Sequence, residues 1–134
     1  MKKHLIVLLC ILFLICLYGC GGNVDHAQTH TVDSELYTQQ EISSAIAVIK
    51  QEFKLKWDGC TLTEISYAGD ETTQSYQEWS ECNDADEVIV LTSSFDVDSS
   101  GGDGSLNPNS TYDNWQWILV RTKGGTWTHV DHGY

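Results

Sequence analysis

The sequence predicts an α+β domain in which an N-terminal amphipathic helix packs on a curved antiparallel sheet of about four strands. Three observations carry that expectation. Thr38-Gln39-Gln40-Glu41 has the form of a capping box, and behind it Ile42, Ala45, Ile46, Ile49, Phe53 and Trp57 recur every three or four residues. Glu87 to Val97 alternates, with Ile89, Leu91, Phe95 and Val97 on one face and Val88 and Val90 on the other. Lys123-Gly124-Gly125 separates two aromatic-rich stretches as a tight hairpin does.

Before the domain the chain reads as export machinery. Met1-Lys2-Lys3-His4 is positively charged, and Leu5 to Leu17 is an unbroken apolar run of 13 residues. As a helix that run spans about 20 Å, short of the ~30 Å hydrocarbon slab that a permanent membrane span must cross. It stops at Leu17-Tyr18-Gly19-Cys20, which resembles the lipobox of bacterial lipoproteins. The resemblance implies that residues 1–19 are a signal peptide and that Cys20 carries diacylglycerol. It also implies a protein anchored to the extracytoplasmic face of a bacterial cell membrane, with the bilayer as its first partner. Residues 20–35 are polar and glycine-led and read as a flexible tether. His26 and His30 fall within it and read as solvated.

The folded domain is expected over residues 36–134. Its helix runs for about five turns from Thr38, with Lys50, Lys54 and Lys56 toward the negative end of the dipole and Gly59 free to take the left-handed conformation that ends it. Cys60 to Tyr67 reads as a strand, and the opposite parity of Leu62 and Ile65 calls for a bulge. Residues 72–83, with Tyr76 and Trp79 three apart, read as a short helix or turn. The strand over 87–97 follows, and residues 115–122 and 126–134 complete the sheet.

The capped helix, the strand at 87–97 and the tail Trp115-Gln116-Trp117-Ile118-Leu119-Val120-Arg121, Gly125-Thr126-Trp127, Asp131-His132-Gly133-Tyr134 together resemble the cystatin-like, nuclear-transport-factor-2-like superfold. In particular the tail resembles the closing hairpin of small Gram-positive lipoproteins with that fold. The resemblance implies a cone between helix and sheet that hosts a catalytic group in some members and a binding site in others.

Composition narrows the function. Without Lys2 and Lys3 the chain keeps five basic against nineteen acidic residues, a formal charge of −14, and such a domain as a whole is repelled by nucleic-acid phosphates and by anionic headgroups. No G-x-S-x-G, H-E-x-x-H, P-loop or C-x-x-C motif occurs. The catalytic candidates are His129 and Asp131, which alternation places on one face of the last strand, and Ser93, which interrupts an apolar face. Alternation places His132 on the face opposite His129. Asp96-Val97-Asp98-Ser99-Ser100-Gly101 resembles the first half of an EF-hand-type calcium loop, with Asp96, Asp98 and Ser100 as alternating oxygen ligands. Asn107 stands where that loop has its glutamate, and the plainer reading is a solvated hairpin loop. Calcium there is the one cofactor the sequence admits. Cys60 and Cys82 remain as a disulfide pair or as two buried thiols. The expectation drawn from all this is a non-enzymatic binding or interaction module with an unidentified ligand. The alternative is a small-substrate enzyme using the cavity between helix and sheet.

Overall fold

The computed structural model describes residues 21–134, so Cys20 and the expected signal peptide lie outside the described residues. Helix α1 spans Gln39–Lys56. The capping box forms: the Glu41 N–H donates to the Thr38 hydroxyl at 3.1 Å, and the Thr38 N–H donates to the Glu41 carboxylate at 3.0 Å. Both are backbone donors that the first turn would otherwise leave unpaired. Ile42, Ala45, Ile46, Ile49 and Phe53 form its buried stripe, and Gly59 at φ 71° turns the chain into the sheet.

Four strands follow, β1 (Cys60–Tyr67), β2 (Glu87–Val97), β3 (Thr111–Arg121) and β4 (Thr128–Gly133). They pair antiparallel in the order β1-β2-β3-β4, so every connection joins neighbours. Strand β3 begins four residues before the expected start, because Thr111 and Tyr112 still pair with Asp96 and Phe95. The stretch expected as a short helix or turn is two short helices, α2 (Asp70–Ser75) and α3 (Glu78–Cys82). They bring Tyr76 and Trp79 over Val88, Val90, Ile118 and Val120 on one sheet face. The other face takes α1 and holds the larger core, including Phe53, Leu62, Tyr67, Leu91, Phe95 and Trp117. The architecture is α+β, one long helix on an open four-stranded antiparallel sheet.

Three of the strands carry an extra residue. Between Leu62 and Glu64 β1 gains a residue on β2, between Tyr112 and Trp115 β3 gains one on β2, and between His129 and Asp131 β4 gains one on β3. A bulge sets two residues opposite one and so reverses the facing of everything beyond it. Leu62 with Ile65, Tyr112 with Trp115 and His129 with His132 therefore each share the α1 side of the sheet. Asn114, in the β3 bulge, sits at φ 56°, a left-handed conformation that asparagine tolerates.

The expected flexible tether needs correction. The Gly22 N–H donates to the Phe53 carbonyl at 3.1 Å, Asn23 exchanges bonds with Cys60 and Leu62 at 2.9 and 2.8 Å, and Gln28 exchanges bonds with Thr63 and Ile65, both at 2.9 Å. Residues 21–30 thus run parallel to β1, and Val24, Ala27 and Val32 pack against the core. The reason is the unpaired edge of β1, whose N–H and C=O groups take the polar segment as a partner. The proposed disulfide also fails. Cys60 and Cys82 are both free, Cys60 buried on the α1 side of the sheet and Cys82 exposed on α3 across it.

Candidate functional site

The C-terminal end of α1, the loop 98–110 and the end of β4 enclose a cleft of about 320 Å³. Each wall follows from local chemistry. Trp57 caps α1 and its indole stacks on Phe53 at 5.5 Å between centroids, which holds the ring in place at the cleft floor. The β3 bulge turns Trp115 to the same side, 6.0 Å from Trp57 and nearly perpendicular to it. His132, turned inward by the β4 bulge, lies 5.1 Å from Trp57 and 5.8 Å from Trp115. Glu52, Asp58 and Asp103 supply carboxylates to the lining and Lys56 one ammonium, 3.9 Å from Glu52.

Gly101 builds the loop wall. It stands at φ 72°, and a Cβ there would lie 2.7 Å from the Leu106 carbonyl, a distance real side chains do not reach. The turn so made lets Leu106 reach the core and places Asp103 on the rim.

Behind His132 runs a chain of polar groups. His129 faces the Glu52 carboxylate through Nδ1 at 2.5 Å and the Asp131 backbone carbonyl through Nε2 at 3.0 Å. His132 Nδ1 approaches His129 Nε2 at 3.3 Å. Both nitrogens of His129 are thus engaged by the protein, and its side chain is only 9% exposed. Burial among the indoles, followed by the neighbouring His129, holds His132 below its ordinary pKa against the opposing pull of Asp131 and Glu52.

The expected site residues disperse. His129 and Asp131 do not share a face: the bulge turns His129 toward α1 and leaves Asp131 opposite Ile118 on the other side, so only the Asp131 carbonyl reaches the imidazole. Parity also misplaced His132, which joins His129 instead of opposing it. Ser93 is buried, accepts from the Trp117 indole N–H at 2.7 Å and donates to the Trp115 carbonyl at 3.2 Å. Its role is to satisfy a buried indole, and its hydroxyl is not free to attack a substrate.

In the acidic loop the oxygens serve the turn itself. Asp98 accepts from the Ser100 N–H at 2.8 Å and from the Ser100 hydroxyl, while Asp96 accepts from the Thr111 hydroxyl at 2.7 Å. These Ser100 bonds hold the Asp98 carboxyl below the usual range. Among the described residues no three His, Cys, Asp or Glu side chains converge as a metal site. Cys60 lines the cleft as well, and burial, then Asp98, Asp103 and Asp58, pushes its thiol up to about 11, so that it is held as the thiol near neutral pH.

The sequence reading missed Glu52, Trp57 and Trp115 as parts of one site. The chain matches no protein-family model, no curated protein and no solved structure.

Proposed function

We propose that the protein is a bacterial lipoprotein, held through Cys20 on the extracytoplasmic face of the cell membrane, whose cystatin-like domain binds a small cationic ligand without transforming it. The anchor is supported by the short apolar run that stops at Leu17-Tyr18-Gly19-Cys20. The superfold is supported by one long helix followed by a four-stranded meander.

One observation carries the ligand class: the indoles of Trp57 and Trp115 stand nearly perpendicular at 6.0 Å in a cleft whose lining has three carboxylates and one ammonium. Indole faces attract a cation through their quadrupole, by about 0.5–2 kcal/mol depending on desolvation. The carboxylates add long-range attraction and oppose anions. A volume of about 320 Å³ suits a ligand of amino-acid or choline size.

Binding without catalysis is favoured because His129 has both nitrogens engaged and Ser93 holds Trp117. An enzyme in this cleft would have to work through His132 with the Asp58 or Asp103 carboxylate. The test is fluorescence titration of the purified protein with choline, tetramethylammonium and arginine, beside acetate and phosphate. Saturable quenching by at least one cation is expected, weakened about tenfold in Trp57→Ala, since 1.4 kcal/mol is one decade. Equal responses to cations and anions would remove the ligand assignment.

A further inference from the structure

The end of α1 that floors the cleft also receives the start of the described chain. A Cβ on Gly21 would lie 1.9 Å from the Lys54 carbonyl oxygen, and one on Gly22 would lie 2.6 Å from that of Phe53. Only glycines permit that approach, so Gly21-Gly22 seats the chain on the last turn of the helix. One peptide unit, about 3.8 Å, separates Gly21 from residue 20. A lipid carried by Cys20 would therefore be bonded next to a segment that is seated on α1.

That position is also where the protein's few cations lie. Of the five basic residues after Gly21, Arg121 is buried in an ion pair, and three of the other four are Lys50, Lys54 and Lys56 on this helix. Leu55, next to Lys54, is 61% exposed and adds an apolar side chain to that surface. Glu52 pairs with both His129 and Lys56, and Asp58 flanks the helix end; Asp96 and Asp98 line a groove beside residues 21–23.

We propose that the outward face of α1 at its C-terminal end, formed by Lys50, Lys54 and Leu55, docks on the anionic headgroups of the bilayer that holds Cys20, while Lys56 turns to the cleft on the other side. The proposal rests on the lipid-anchor reading. Two weak signals act together here: acyl chains hold the helix end at the surface, and lysines beside them gain from anionic lipid within a Debye length, with Leu55 entering the headgroup layer. The acidic remainder of the domain is repelled outward, which fixes its orientation and leaves β4 and the loop 98–110 beside the membrane plane.

The test uses the full chain, expressed in a lipoprotein-processing bacterium, with Cys82→Ser to remove the exposed thiol. A nitroxide is placed at Leu55→Cys or, as control, at Ser75→Cys on α2, and the protein is reconstituted in vesicles of phosphatidylcholine with or without one-third phosphatidylglycerol. Expected in the anionic vesicles is at least threefold lower collision with a water-soluble relaxant at position 55 than at position 75. Replacing Lys50 and Lys54 by Gln, or adding 1 M salt, should restore equal access. Mass spectrometry showing Cys20 without an acyl chain would sink the anchor and the docked face with it. Lipidated protein with both labels equally in water would overturn the docked face alone.

Discussion

Helix α1 meets the sheet at two ends built from similar parts. At its first turn Glu41 pairs with the Arg121 guanidinium, which also takes Glu87 at 2.6 Å and lies 4.1 Å above the Trp127 ring. At its last turns Glu52 pairs with His129, and aromatic rings again stand beside the nitrogen partner. Each end therefore sets a helix carboxylate against a nitrogen base and an indole. Arginine stays charged at every physiological pH and fills its fork, so the ion pair at the first end is closed on itself and permanent, with a cleft of about 350 Å³ beside it. The second end sets His132, whose pKa burial lowers, on the wall of its own cleft, so that end is conditional and open. The first end serves the fold, and the second is available for function.

The largest expected effect breaks the closed end. Arg121→Met keeps the apolar contact with Trp127 but leaves Glu41 and Glu87 facing each other without a cation. Removing one partner of a buried pair costs about 3–5 kcal/mol, and the partial exposure of both carboxylates lowers that to about 2–3 kcal/mol. Urea unfolding should show that loss, with Glu41→Gln in the same chain recovering part of it. A change under 0.5 kcal/mol would mean that the ion pair is ornamental and that the two ends do not differ as argued.

Legibility in the sequence divides along the same line. The helix was readable because its signals are local: a capping box, a three-to-four spacing and a glycine at the end. Leu62 and Ile65 betrayed the β1 bulge because both are apolar. Tyr112 and Trp115 carried the same three-residue signature, yet Tyr112 preceded the expected strand. His129 and His132 had no apolar parity to break, so strict alternation separated two residues that the β4 bulge unites. The Arg121 pairs lie 80 and 34 residues away in sequence and have no local trace. Gly21-Gly22 read as flexibility because glycine's other use, close backbone approach, depends on a helix more than thirty residues later.

A smaller effect sharpens the comparison from the middle of the sheet. Ser93→Ala deprives the fully buried Trp117 indole of its acceptor, which costs about 1–3 kcal/mol. Because Ser93 lies beneath the cleft without lining it, calorimetry should find a lower unfolding midpoint while the cation titration keeps its affinity within threefold. Equal losses in both would tie Ser93 to the site itself.

The smallest effect is in pH, and it separates the two ends by window. His132 has its folded pKa depressed from an ordinary value near 6.5, so the unfolded chain takes up its proton more readily. The native state is then favoured fully above that value and loses stability as pH falls below it, until the folded His132 also protonates. Glu41 is depressed too, by the Thr38 backbone N–H and then by Arg121, from an ordinary value of 4.5. Its contribution is present above 4.5 and is lost only as pH falls through its lower folded value. Acidification should therefore loosen the open end first and the closed end second. Unfolding midpoints measured between pH 7.5 and 5 should decline in the wild type and much less in His132→Gln, whereas Glu41→Gln should flatten only the portion below pH 4.5. An unchanged slope above pH 5 in His132→Gln would show that the open end is no more conditional than the closed one.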